Sequence, residues 1–323
     1  MKVLIIGGGG VIGQKLGQRL AARGTLRGQA IDRIVLADIV DPAPISGDVP
    51  VDTIQVDIAD PQSVAKAVTA DVDVIYLLAA IVSGQAESDM DLGYRINLQG
   101  TINVLEQARA LGTCPVVVFS SSMAVYGGDV PDPIGDHTPL LPQTSYGAQK
   151  AMGELLVNDY TRKGFIDGRG FRLPTISVRP GKANLAASSF MSSILREPLN
   201  GQAAICPVED DFPHYYLSPR MCVENLVRGA EIAAEDLGTN RCMQMPGRMW
   251  TIRQLIDAMT AVAGPEPAKL IRWEAQPEVQ RIVMGWKYDL RADRALSLGL
   301  TADDSFEDNV RYYIEDDRPA APA

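Results

Sequence analysis

Tyr146 and Lys150 stand four positions apart, and the hydroxyl-rich stretch Ser120-Ser121-Ser122 precedes them at the end of an apolar run from Val116 to Phe119. On a helix, that spacing projects the phenol and the ammonium from one face, where the positive charge lowers the phenol's pKa. A phenol tuned in this way acts as a base. Ser122, carried at the tip of a buried strand, would hydrogen-bond the same substrate oxygen and hold a carbinol against the phenol. A Tyr followed four residues later by Lys is also what an ordinary helix with a surface-lying lysine contains. The chemical reading therefore depends on the elements that bring these groups together.

Those elements begin at the amino terminus. Val3 to Ile6 reads as an apolar strand, Gly7-Gly8-Gly9-Gly10-Val11-Ile12-Gly13 as a tight turn, and Gln14 to Ala22 as a helix with Leu16 and Leu20 facing inward. The turn contains G-x-G-x-x-G at Gly8, Gly10 and Gly13 and G-x-x-G-x-x-G at Gly7, Gly10 and Gly13, so the backbone, with Val11 and Ile12, can approach a pyrophosphate at the positive helix end. A second strand, Ile34 to Ala37, ends at Asp38. A carboxylate there accepts hydrogen bonds from the adenosine ribose hydroxyls and repels a 2′-phosphate, and no Lys or Arg occurs between Arg33 and Lys66 to neutralise one. NAD is favoured over NADP; the alternative for Asp38 is a solvated acid at a strand end. A third strand, Asp52 to Val56, leads to Asp57-Ile58, placed to meet the adenine edge. A fourth, Val72 to Leu78, closes on Leu78-Ala79-Ala80, where small residues let a cofactor lie against the strand end.

Asp91 to Leu111 reads as one long helix with Ile102, Leu105, Ala108 and Leu111 at core spacing. A Pro- and Asp-containing loop, Gly127 to Pro142, suits either an active-site flap or a solvated connection. A helix from Tyr146 to Lys163 and a strand from Phe171 to Val178 follow. Alternating apolar strands and helices argue for an α/β fold, a Rossmann-type doubly wound parallel sheet with ligands at the carboxyl ends of its strands.

Composition narrows the function. The 323 residues are 46% hydrophobic and 22% charged, enough for a large core, and 30 basic against 40 acidic residues give a formal charge of −10. No Lys/Arg cluster stands out, so neither nucleic acid nor an anionic membrane is an expected partner. Cys114, Cys206, Cys222 and Cys242 are scattered without a CxxC, and His137 and His214 are the only imidazoles, which argues against a metal site. No apolar stretch reaches bilayer length and Gly7 to Gly10 interrupts the first apolar run; a cytoplasmic protein with reduced thiols is expected.

Taken together, Gly7 to Gly13, Asp38, Asp57-Ile58, Leu78-Ala79-Ala80, the run from Phe119 to Gly127, Tyr146 to Lys150 and Arg179-Pro180-Gly181 resemble the extended short-chain dehydrogenase/reductase family, which includes nucleotide-sugar epimerases and dehydratases. Val223-Glu224-Asn225-Leu226 and Arg291-Ala292-Asp293-Arg294-Ala295 extend the likeness. The resemblance implies that Tyr146 is the acid/base, that Lys150 binds the nicotinamide ribose and that Ser122 polarises the substrate. It adds Asn97, Ser120 and Pro180 to the cofactor contacts and Ser83 to the substrate contacts. It also implies a homodimer, and an NAD-binding domain over residues 1–182, to which 212–244 return, with a substrate lobe from 183–211 and 245–323.

Two departures from the nucleotide-sugar pattern fall where a substrate would lie: Lys182-Ala183-Asn184-Leu185 after Arg179-Pro180-Gly181, and Arg220-Met221-Cys222 before Val223. Their wording, with Ser188-Ser189-Phe190 and the segment from His214 to Arg220, resembles a branch that oxidises the 2-hydroxyl of a four-carbon sugar acid with NAD. A small acid demands a cation, and Lys182, Arg220 and His214 are the candidates. The competing readings are a nucleotide-sugar epimerase that returns the hydride and a dinucleotide sensor without catalysis; a sensor has no need to keep Ser122, Tyr146 and Lys150 together.

Overall fold

Strand-forming apolar runs give β1 (Lys2–Ile6), β2 (Arg33–Asp38), β3 (Val51–Gln55), β4 (Val74–Leu77), β5 (Val116–Ser122) and β6 (Asp167–Leu173). Shorter strands follow: β7 (Thr175–Ile176), β8 (Ala204–Cys206), β9 (Pro213–Leu217), β10 (Cys242–Gln244), β11 (Arg248–Thr251) and β12 (Ile271–Trp273). The computed structural model describes residues 1–181 and 187–319, so Lys182 lies outside it. Among the described residues, a seven-stranded parallel sheet has the order β10-β6-β5-β4-β1-β2-β3.

Register decides where the chemistry lands. Ile6 pairs with Ala37 and with Leu77, and Leu77 with Phe119. The next residues along each strand, Gly7, Asp38, Leu78 and Ser120, therefore emerge together at one sheet edge, where the strand order reverses about β1.

Alternation along β1 sends Val3 and Ile5 to one face and Leu4 and Ile6 to the other. The first face is covered by α1 (Val11–Arg23), which contributes Leu16 and Leu20; the second is covered by α2 (Pro61–Ala67), α3 (Gly100–Leu111) and α4 (Ser145–Arg162). Burying a leucine of this kind contributes about 1.5–3 kcal/mol. A separate core joins α5 (Phe190–Leu199), which follows β7, to later elements; α6 (Pro219–Glu231) returns to α1 on the sheet. That second core is completed by α7 (Ile252–Ala263), α8 (Pro277–Val283) and α9 (Phe306–Asp316). Helix α7 starts on a reciprocal capping box between Thr251 and Gln254 and stops at Gly264, which takes φ +81°.

Two elements differ from their sequence reading. The expected helix from Asp91 is a short turn at Met90–Gly93, a π-wound stretch at Tyr94–Gln99 and then α3. Asn97 sits within the π stretch, a site of local unwinding that frequently accompanies function. The strand expected from Phe171 starts earlier, at Asp167, and breaks at Pro174, which has no N–H for a ladder. Arg169, in the stretch ahead of the expected strand, is fully buried: its Nη1 donates to the carbonyls of Gly229, Ala230 and Ile232 at 3.2, 3.1 and 2.8 Å, and its Nη2 lies 2.5 Å from Asp167.

All four cysteines are free thiols. Among the described residues, no helix is long and apolar enough to cross a membrane, and no group of three or more His, Cys, Asp or Glu could hold a metal ion.

Candidate active site

The glycine turn is packed too closely for side chains. Gly7 takes φ +97°, and a Cβ on it would lie 2.7 Å from the Ala79 nitrogen; a Cβ on Gly13 would lie 2.1 Å from the Gly7 carbonyl oxygen. Gly10 precedes α1 without any side-chain cap, so the N–H groups of the first turn at Val11, Ile12 and Gly13 are left for an anion. This cradle fits the diphosphate of a dinucleotide.

Asp38 ends β2 beside it. Its Oδ2 accepts from the Gly9 N–H at 2.9 Å and its Oδ1 from the Ile39 N–H at 2.7 Å, so the carboxylate orients the glycine turn. The prediction is a preference for NAD over NADP on the order of a hundredfold in kcat/KM, equivalent to about 2.7 kcal/mol. Asp38→Ala combined with Ile39→Arg, at a 55% exposed position, should narrow the ratio; equal use of both cofactors by the parent protein would reject the role of Asp38. Asp57 accepts from the Ala59 N–H at 2.8 Å, and the Ile58 carbonyl accepts from Asn103 Nδ2 at 2.8 Å, which fixes the turn after β3.

The reactive groups meet in a cavity of about 1040 Å³. Ser83, Ser120, Ser122, Tyr146 and Lys150 line it, together with Ile12, Leu78 and Ala80. Ser122 caps the turn at Met123–Val125, its Oγ accepting from the Ala124 N–H at 3.1 Å, and Thr144 caps α4. Gly147 brings the two together, since a Cβ there would sit 2.1 Å from the Ala124 carbonyl oxygen. That glycine has a site role the sequence reading missed, and a glycine next to a helix-opening tyrosine was its only signal.

The electrostatics differ from the expected lysine tuning. Burial pushes the Tyr146 phenol up to about 12, offset in part by a hydrogen bond with Ser122. Lys150, buried one turn along, gives its Nζ to the Ser120 carbonyl at 2.7 Å and lies 5.7 Å from the centre of the Tyr146 ring; burial pulls it down to about 8. Ammonium and phenol are close, but desolvation dominates both.

Other expected contacts are distributed differently. Asn97 is buried with its Oδ1 accepting from the Ile81 N–H at 2.8 Å and its Nδ2 donating to Gln149 Oε1 at 2.8 Å. It ties the segment after Leu78-Ala79-Ala80 to α4. Pro180 and Arg220 line a second cavity of about 740 Å³ beside Gly9 and Val11, apart from Tyr146. Arg220 is paired there with Glu315 at 2.9 Å and Asp316 at 2.5 Å and lies 4.0 Å over the Tyr312 ring. His214 does line the Tyr146 cavity, but burial holds its pKa down to about 3, so it is neutral and not a cation. Its Nε2 lies 2.8 Å from Thr175 Oγ1, with Tyr216 and Trp286 rings each 5.4 Å from its own.

A buried carboxylate network supports the serine strand from below. Ser121 Oγ donates to Glu154 at 2.5 Å, Glu154 pairs with Arg172 at 2.7 Å, and Arg172 Nη1 donates to the Tyr126 hydroxyl at 2.5 Å.

Comparison with known proteins agrees with this geometry. Residues 3–211 match the NAD dependent epimerase/dehydratase family. The chain is 49% identical to the D-erythronate dehydrogenase of Cupriavidus necator, over 98% of each chain, and 40% identical to that of Haemophilus influenzae, over 98% of this chain and all of the relative. A crystal structure described as a nucleoside-diphosphate-sugar epimerase from Agrobacterium tumefaciens superposes with a TM-score of 0.93 at 46% identity, covering 98% of this chain and 94% of the other. The chain belongs to the NAD-dependent epimerase/dehydratase family. Within it, the chain is an NAD-dependent dehydrogenase.

Proposed function

We propose that the protein oxidises the C2 hydroxyl of a four-carbon sugar acid, D-erythronate or a close stereoisomer, to the 2-oxo acid. What supports this reading most is that both relatives named D-erythronate dehydrogenase match essentially from end to end, so the matched length spans the residues that line the cavity holding Ser122 and Tyr146. NAD, when bound at the glycine turn, supplies the hydride acceptor. Tyr146, as phenolate, takes the proton of the C2 hydroxyl while the C2–H bond breaks. Ser122 donates to the same oxygen and keeps it beside the phenol. Lys150, with a pKa near 8, can take up or release a proton close to neutrality.

The Agrobacterium structure's description favours a second reading, an epimerase that returns the hydride. The test is to mix pure protein with NAD and a panel of aldonic acids and follow nicotinamide absorbance. Stoichiometric appearance of free NADH and a 2-oxo acid is expected. Absence of turnover with every acid, together with interconversion of nucleotide sugars without net NADH, would transfer the assignment to the epimerase.

A further inference from the structure

An acid substrate brings a carboxylate into the Tyr146 cavity, and a partly desolvated carboxylate requires a cation. Two of the three sequence candidates are removed by the fold: Arg220 is paired beside the glycine turn and His214 is neutral. Among the described residues, the cationic side chains that line the cavity are Lys150, Arg179, Arg281 and Lys287. Lys150 is committed to the Ser120 carbonyl, and Arg281 is exposed on α8. Lys287 is a single point charge on a flexible stem, which holds a planar carboxylate less specifically than a guanidinium does.

Arg179 is different in three respects. It is partly buried, and its backbone is pinned on both sides by α5: its N–H donates to Ser192 Oγ at 3.2 Å and its carbonyl accepts from Arg196 Nη1 at 3.0 Å. Its neighbour Arg196 has its own counterion in Glu197 at 2.6 Å. Among the described residues, no carboxylate or carbonyl accepts from the Arg179 guanidinium. Burial and then the like charge of Arg196 pull its pKa below the usual arginine range. The position is therefore costly without a ligand and relieved by an anionic one.

We propose that Arg179 is the residue that grips the substrate carboxylate, through a paired hydrogen bond that leaves the adjacent C2 hydroxyl to Ser122 and Tyr146. This rests on the sugar-acid reading above and names its specificity determinant. Arg179 selects acids over polyols and aldoses of the same length, and its contact is made in the ground state as well as during reaction.

The test compares Arg179→Met and Arg179→Lys with the parent protein, using NAD with a four-carbon aldonic acid and with the matching polyol. For Arg179→Met, kcat/KM with the acid should fall by about a hundredfold, mainly through KM, while polyol turnover and NAD affinity change by less than about threefold. Inhibition by the 2-oxo acid product should weaken in parallel, and added guanidinium ion should restore part of the lost rate. Arg179→Lys keeps the charge and loses the fork, so an intermediate rise in KM is expected; it also serves where the Met variant fails to fold. An Arg179→Met protein that handles the acid within about threefold of the parent, or loses acid and polyol equally, overturns the proposal. So does a selective loss of acid in Lys182→Met or Arg281→Met with Arg179→Met unaffected. A parent protein that turns over no 2-hydroxy acid instead removes the underlying reading, and this one with it.

Discussion

Tyr146→Phe is expected to lower kcat by roughly a hundred- to ten-thousandfold, the usual scale for losing a general acid/base, while folding and NAD binding survive. The change deletes one oxygen and leaves the ring, so the close approach of Gly147 to the Ala124 carbonyl is undisturbed. Because burial raises this phenol to about 12, only a small fraction is phenolate near neutrality. Below its pKa that fraction grows about tenfold per pH unit, so kcat/KM should climb with pH in the parent protein. A phenyl ring in place of the phenol cannot ionise, and the climbing limb should vanish with it. An inflection well below 12 in the parent would measure how far the phenolate is stabilised in the working complex. A Tyr146→Phe variant retaining more than about a tenth of the parent rate, with the same pH limb, would exclude Tyr146 as the base.

What can be read from the chain and what cannot divides along physical lines. Gly7 and Gly13 are legible because backbone atoms that would lie 2.7 and 2.1 Å from an added Cβ exclude every side chain, so a glycine spacing is itself a statement about contact. Asp38 is legible because strand register carries it to the same edge as Gly7. The Tyr146–Lys150 spacing does bring both groups to the wall of one cavity, but their pKa values depend on burial, which a spacing does not contain. Arg220 misleads for a related reason: its partners, Glu315 and Asp316, lie at the far end of the chain, and nothing local announces a pairing across that separation. His214 looks like a cation until rings from Tyr216 and Trp286 enclose it. Arg169 inside a strand contradicts the pattern that charges face water, and the three carbonyls at the end of α6 together with the Asp167 carboxylate explain it. Arg179 stands inside a recognisable motif, yet its open guanidinium becomes visible only once Arg196 is seen to be occupied by Glu197.

Glu154→Leu is expected to destabilise the protein by about 3–5 kcal/mol, because removing one partner of a buried ion pair strands the other. Both side chains are almost completely enclosed, Glu154 at 2% and Arg172 at 4% exposure, so water cannot replace the lost carboxylate. The carboxylate also accepts from Ser121, and the guanidinium also holds Tyr126; both residues belong to the strand and turn that present Ser122. Activity should therefore fall along with stability, chiefly through kcat, as the serine loses its fixed position. The cost belongs to the unpaired charge rather than to the missing carboxylate, which a second substitution can show. Adding Arg172→Met to the Glu154→Leu variant removes the stranded guanidinium, and most of the lost stability should return even though two polar groups are now gone. Urea unfolding of the parent, both single variants and the double variant measures all four corners of this cycle. Additive losses in the double variant would mean that the pair acts through packing alone and that its charges are incidental to holding the serine strand.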